Sequence, residues 1–187
     1  MTRSCGTCRL CCKVFPLPVL DKPGDAWCRF ACDAGCAIHD DGIPAVCREY
    51  NCYWLEDDEL SDEFRPDRIG IVVTESGTIR VRDDELPVLR LNQSHAGACR
   101  REKARELIDG FVAGGAAVLL LCGPDLQILH DRARYPAITA QEIEVAFRYE
   151  QSQDADELKR LGAVSNDYRA LTRVEAESSV SRERDEP

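Results

Sequence analysis

Residues 5–12 read CGTCRLCC, four thiols in eight positions, and residues 44–54 read PAVCREYNCYW, which adds two more. Between them stand Cys28, Cys32 and Cys36, so nine of the eleven cysteines of this 187-residue chain fall in its first 52 residues. Pro16, Pro18, Pro23, Gly24, Gly35, Gly42 and Pro44 cut the same stretch into turns, with little aliphatic periodicity between them. Such a segment cannot bury much of a core by itself. Its order is expected to come from whatever ties the thiols together.

Three chemistries compete for that role. Only Met1 to Ser4 precede Cys5, with no export signal, so a reducing, cytoplasmic setting is expected; the odd number of local thiols also disfavours a disulfide scaffold. Burial as small hydrophobes suits the isolated Cys99 and Cys122 but does not explain nine thiols in a turn-rich segment. Metal ligation does, because a C-x2-C turn lets two thiolates reach one ion at ~2.3 Å. Cys5, Cys8 and Cys11 chain two such turns. Adjacent residues point apart, which leaves Cys12 to bridge to a second ion, face the interior or stay free. Cys28, Cys32 and Cys36, spaced by four, share one face if that stretch is helical, and Cys47 with Cys52 forms a wider pair. The ferredoxin pattern C-x2-C-x2-C-x3-C-P is matched at its first three cysteines and at Pro16, but Phe15 stands in the fourth cysteine's place. An iron–sulfur cluster would then need its last ligand from Cys12 or from Cys28 to Cys52.

The pattern Cys5-x2-Cys8-x2-Cys11-Cys12, Gly35-Cys36-Ala37-Ile38 and Pro44-x2-Cys47-Arg48-x2-Asn51-Cys52-x-Trp54 resembles the bacterial YkgJ-like CxxCxxCC cysteine-cluster family of zinc- or iron-chelating proteins. The likeness covers about the first 55 residues, with Pro66 to Val73 as a further stretch. It implies metal binding by Cys5, Cys8, Cys11, Cys12, Cys28, Cys36, Cys47 and Cys52, and no settled reaction. Cys32 is not required by the family pattern. The chain has His39 where the family commonly has Tyr, making His39 a substitute ligand of second rank, and Ile43-Pro44 where the family has Arg-Pro. Zinc is expected ahead of iron or an iron–sulfur cluster, since closed thiolate sites are a common structural zinc arrangement. Arg3, Arg9, Lys13, Arg29 and Arg48 stand near these cysteines in sequence and are candidates to offset the thiolate charge.

Outward from the cysteines, Glu56 to Glu63 form an acidic run read as a solvated connecting segment over 56–68. Residues 69–162 are expected to form a small α/β unit. Ile69–Thr74 and Thr78–Arg82 flank Glu75-Ser76-Gly77 and read as a hairpin. Ala104, Leu107, Ile108, Phe111 and Val112 mark one face of a helix running from near Gly97 to Gly114-Gly115. Ala116–Leu121 and Leu126–His130 read as strands around a Gly123-Pro124-Asp125 turn, and Thr139 with Glu142 as a capping box for a helix that runs to Gly162. Residues 163–187 read as a polar, disordered tail. The fold class expected is α+β, a metal-stabilised cysteine-rich half packed on a small antiparallel sheet with one or two helices.

The net charge of -10 disfavours a nucleic-acid partner, and the longest apolar run, Ala116 to Cys122, is far short of the ~20 residues of a membrane helix. No phosphate loop, G-x-S-x-G or H-E-x-x-H motif appears, and the adjacent pairs Ser94-His95 and His130-Asp131 say nothing about a triad. A non-enzymatic metal-binding protein is the preferred reading, an iron–sulfur redox component the alternative. A third reading has the Ile143–Leu161 helix face docking a protein partner.

Overall fold

The computed structural model describes residues 3–39 and 42–151. Its architecture is α+β, with a two-stranded antiparallel hairpin near the N-terminus and a four-stranded mixed sheet behind it. The larger sheet runs in the order β3 (Ile71–Val81), β4 (Asp84–Gln93), β5 (Ala117–Cys122), β6 (Asp125–Leu129). Its outer pairs are antiparallel, but β4 and β5 are parallel, from Val88 opposite Ala117 to Asn92 opposite Leu121. This corrects the wholly antiparallel expectation. A parallel neighbour needs a long crossover, and α5 (Glu102–Ala113) supplies it.

The hairpin reading of residues 69–82 is also corrected. Ile71 to Val81 is one strand, and Glu75-Ser76-Gly77 is a bulge where the register against β4 slips between Glu75 and Thr78. The turn comes later, at Arg82-Asp83, with Arg82 in the left-handed region at φ 56° and its guanidinium paired to Glu142 at 3.0 Å. Pro87 is accommodated in β4 because the β5 partner begins only at Val88, leaving that end of the strand without a neighbour on the β5 side.

Strand alternation then divides the core in two. On one face Ile71, Val73, Leu89, Leu91, Val118 and Leu120 meet Ala104, Leu107 and Ile108 of α5, the stripe expected of that helix. On the other, Ile79, Val81, Leu86, Val88 and Leu119 meet Tyr135, Ile138 and Ile143. Ile143 belongs to α6 (Ala140–Gln151), whose start is the expected capping box: the Glu142 N–H donates to Thr139 Oγ1 at 3.3 Å, and the Thr139 N–H and hydroxyl both donate to Glu142 at 2.8 Å. The continuation of this helix to Gly162 and the tail over 163–187 lie outside the described residues.

Val72, on the second face, is covered from the N-terminal half by Leu10 and Val14 of α1 (Leu10–Val14) together with Cys52 and Trp54. The acidic segment is seated as well. Leu60 and Phe64 pack inward, and the Arg3 guanidinium donates to the carbonyls of Trp54 (2.9 Å), Asp57 (2.6 Å), Asp58 and Leu60. Among the described residues no helix is long and apolar enough to cross a membrane.

Candidate metal centre

Four short stretches carry the thiols, and the backbone stitches them together. The Cys8 N–H donates to the Cys5 carbonyl at 2.9 Å, closing the first C-x2-C turn. In α1, Leu10 and Val14 lie one turn apart and are buried. Successive helical residues are about 100° apart, so Cys11 flanks that buried stripe and Cys12 turns to the opposite side. There the Cys28 N–H donates to the Cys12 carbonyl at 3.0 Å.

Residues 28–36 are not helical, which corrects the shared-face reading of Cys28, Cys32 and Cys36. They form a turn and then a hairpin, β1 (Ala31–Cys32) with β2 (Gly35–Cys36), placing Cys36 opposite Ala31 and leaving Cys32 exposed beside the turn. Gly35 makes this possible. Its φ is 126°, and a Cβ on it would stand 3.5 Å from the Gly6 carbonyl oxygen, so the hairpin lies directly against the Cys5–Cys8 loop.

The last stretch comprises α2 (Ala45–Glu49), which carries Cys47, and the buried Cys52, whose carbonyl accepts from the Leu55 N–H at 2.8 Å in α3 (Tyr53–Glu56). Tyr50 anchors it: its ring meets Phe15 edge-on at 5.1 Å and its hydroxyl lies 2.9 Å from Thr74 Oγ1 on β3.

The electrostatics reflect this gathering. Burial pushes the Cys5 thiol up, and the charges of Cys8 and Cys12 push it further. Burial raises Cys52 and Cys47 too; Cys52 also feels Cys5 and Cys8, whereas Cys47 feels Cys12, Cys28 and Cys36. The neighbouring Cys11 and Cys12 thiols interact, which raises Cys11 and lowers Cys12. All eleven cysteines are free. Among the described residues no group of three or more His, Cys, Asp or Glu side chains converges tightly enough to hold an ion. The charged neighbours of Cys5, Cys47 and Cys52 nonetheless include other cysteines expected as ligands. His39 is exposed, and its N–H donates to the Cys36 carbonyl at 3.1 Å.

Sequence reasoning missed Lys22. It is 7% exposed, and its ammonium donates to the carbonyls of Lys13 (3.2 Å), Phe15 and Pro23 (3.0 Å), filling acceptors left open where α1 ends. Burial lowers its pKa, opposed by the negative charges of Cys28, Cys12, Asp25 and Cys11. Nothing in the local sequence LDKPGD marks a buried lysine. Of the cations expected from sequence, Arg9 lies close enough to favour the Cys12 thiolate. Arg3 instead clamps carbonyls and stacks on Trp54 at 4.8 Å, and Lys13 donates to the Ser94 carbonyl at 2.6 Å. Arg29 stacks on Phe30 at 5.0 Å, and Arg48 donates to the Ile43 carbonyl at 3.3 Å.

Trp54 presents a second clue. Its indole N–H is buried without a hydrogen-bond partner, in the same apolar cluster as Cys8 and Cys52. A buried donor without an acceptor is costly, and a thiolate sulfur is the kind of acceptor its surroundings offer. Away from the thiols, Ser94 Oγ bonds His95 Nδ1 at 2.9 Å, buried His130 bonds the Ile138 carbonyl at 3.0 Å, and Asp131 accepts from the Ala133 and Arg134 N–H groups at 2.8 and 3.1 Å. These are local structural contacts. Comparison of the chain with family models, curated proteins and solved structures gives no match in any of the three.

Proposed function

We propose that this chain is a metal-binding protein that chelates zinc through N-terminal thiolates, Cys5, Cys8, Cys11, Cys12, Cys28, Cys36, Cys47 and Cys52, in a structural or metal-handling role. The observation that carries the reading is that the cysteine-bearing stretches pack on one another, with the Cys28 N–H on the Cys12 carbonyl and the Gly35 hairpin against the Gly6 carbonyl, beside a buried ammonium, Lys22. The donors fit zinc: they are soft, undisulfided and flanked by cations that offset thiolate charge. Binding draws the loops inward to bonding range, and the free energy of coordination becomes folding free energy for residues 3–55. The cysteine spacing supports placing the chain with the YkgJ-like proteins, in a reducing cytoplasm, without a reaction of its own. Iron, as an ion or an iron–sulfur cluster, is the second reading, favoured by the C-x2-C-x2-C opening. The docking reading concerns a helix face expected to continue outside the described residues; within them Ile143 is buried, Ala146 and Phe147 pack against the core, and Tyr149 is exposed.

Metal analysis with a visible spectrum, on protein purified without oxygen or a metal-binding tag, tests these readings. Zinc in a colourless sample is the expected result. Iron with a brown absorbance that bleaches in dithionite supports the second reading, and a metal-free chain that takes up neither metal overturns both.

A further inference from the structure

The sheet face that carries α1 and α6 holds two polar side chains whose donors nothing around them satisfies. Among the described residues three buried side-chain polar atoms lack a hydrogen-bond partner, and all three are N–H donors: the Trp54 indole, already placed beside the thiols, and Arg90 Nε with Asn92 Nδ2. The last two are neighbours on β4. They stand two residues apart in a strand and so share a face, about 6.6 Å from each other along it. Register fixes their surroundings: Arg90 lies between Thr74 of β3 and Leu119 of β5, and Asn92 between Val72 and Leu121. Val72 is covered by the cysteine half and Leu119 by the layer of Tyr135, Ile138 and Ile143, so the pair sits where the two covering layers meet.

Arg90 makes the stronger demand. The chain carries 34 acidic side chains against 24 basic ones, yet among the described residues no carboxylate pairs with this guanidinium. It lies instead over the Phe147 ring of α6, with its Cζ 5.8 Å from the centroid. Stacking occupies the face of a guanidinium and leaves the N–H groups at its edge free to donate. Directly opposite, Thr74 Oγ1 and the Tyr50 hydroxyl are 2.9 Å apart and share one hydrogen bond, which leaves one of their two protons to donate elsewhere. A buried donor without an acceptor is costly, and a charge drawn out of water without a counter-charge costs more. Water would answer the donors but not the permanent charge of the arginine; an anion with oxygen acceptors answers both. We propose that Arg90 and Asn92, with the Tyr50–Thr74 hydroxyl pair beside them, bind a small oxyanion, a carboxylate or phosphate group, at this junction. One such group accepting bonds of about 2.9 Å from each side bridges the spacing of the two donors, and an arginine fork matches its geometry. The site uses no thiol and does not rest on the metal-binding reading.

The test is a titration of the reduced full-length chain with inorganic phosphate and, in a separate series, with acetate, each against sodium chloride at matched ionic strength, followed through the 1H–15N signals of the Arg90 Nε–H and Asn92 Nδ2–H groups. Both signals are expected to move together and saturate with at least one oxyanion but not with chloride, and the oxyanion that saturates at the lower concentration names the group recognised. Affinity should fall at least about tenfold in Arg90→Met and in Asn92→Leu, the ordinary effect of losing a hydrogen bond to a charged group. Arg148→Gln, at an exposed position of α6, should bind as the wild type does. Signals that stay in place, or that drift without saturating and equally in chloride, overturn the proposal, as does unchanged affinity in both variants. The wild-type titration decides the matter even if a variant fails to fold.

Discussion

From residue 71 onward, apolar side chains alternate along strands that bury both faces of a sheet, whereas residues 3–56 contain, among the described residues, no helix or strand longer than five residues. The sheet half meets the entropy of folding by removing apolar surface from water. The cysteine half borrows a small apolar floor from Val72 and places its remaining polar demands on thiols, an ammonium and an indole N–H. The difference teaches that two adjoining parts of one chain can be ordered by different forces and so can fail separately.

The widest separation between them is expected on stripping metal from the loaded chain. Structural zinc supplies on the order of 10–16 kcal/mol in zinc-finger peptides, so a strong chelator should release the amides of residues 5–55 to fast hydrogen exchange while β4 and β5 stay protected. Equal loss of protection in both halves would break the comparison. The reciprocal experiment is Leu91→Ala: Leu91 is fully buried between β3 and β5, and its truncation should cost about 2–5 kcal/mol by urea denaturation. Zinc content of the chain that remains folded should not change.

Lys22→Met removes the cation beside Cys12 and Cys28, and metal affinity by chelator competition should fall about 10–100-fold, the usual effect of losing a group that supports metal ligands. Unchanged affinity would make Lys22 a clasp for the loop alone. On the sheet side, Thr139→Ala should cost ~1 kcal/mol through loss of the helix cap. The Glu142 carboxyl would be raised by burial, but the Thr139 N–H, its hydroxyl and Arg82 hold it below the ordinary value. A depressed carboxylate contributes stability that is present above its unfolded pKa and lost as pH falls through its folded one. Glu142→Gln should therefore lower stability at neutral pH and flatten the acid side of the stability profile, with no effect on metal content. The smallest effect belongs to Cys32→Ser, which should leave stability within about 0.5 kcal/mol, as for other exposed positions.

The same contrast governs what could be read from the sequence. The α5 stripe, the Gly123-Pro124 hairpin and the Thr139–Glu142 box are local signals and each forms, although the helix expected from near Gly97 begins only at Glu102, after a separate 3-10 turn at Ala98–Arg100. β4 escaped because its sequence DELPVLRLNQ mixes charge with a proline that is harmless only where β5 has not yet begun. Glu75-Ser76-Gly77 has the composition of a turn yet makes a bulge, and the actual turn uses Arg82 at a positive φ supported by an ion pair with Glu142, 60 residues away. In the cysteine half, thiol spacing marked out the stretches that pack on one another. It did not foresee that a turn at Asp33-Ala34 would turn the spacing of four into a hairpin.

The floor under α1 carries a consequence for synthesis. Leu10 and Val14 rest on Val72, and Tyr50 is tethered to Thr74, so the surface that supports the cysteine stretches is encoded after them. As the chain leaves the ribosome, all nine N-terminal thiols emerge before β3 exists and wait without their support until β3 has paired with β4. During that interval they are open to oxidation and to any soft metal nearby. How long that interval lasts depends on how quickly a β-hairpin closes at residues 82–83 behind them.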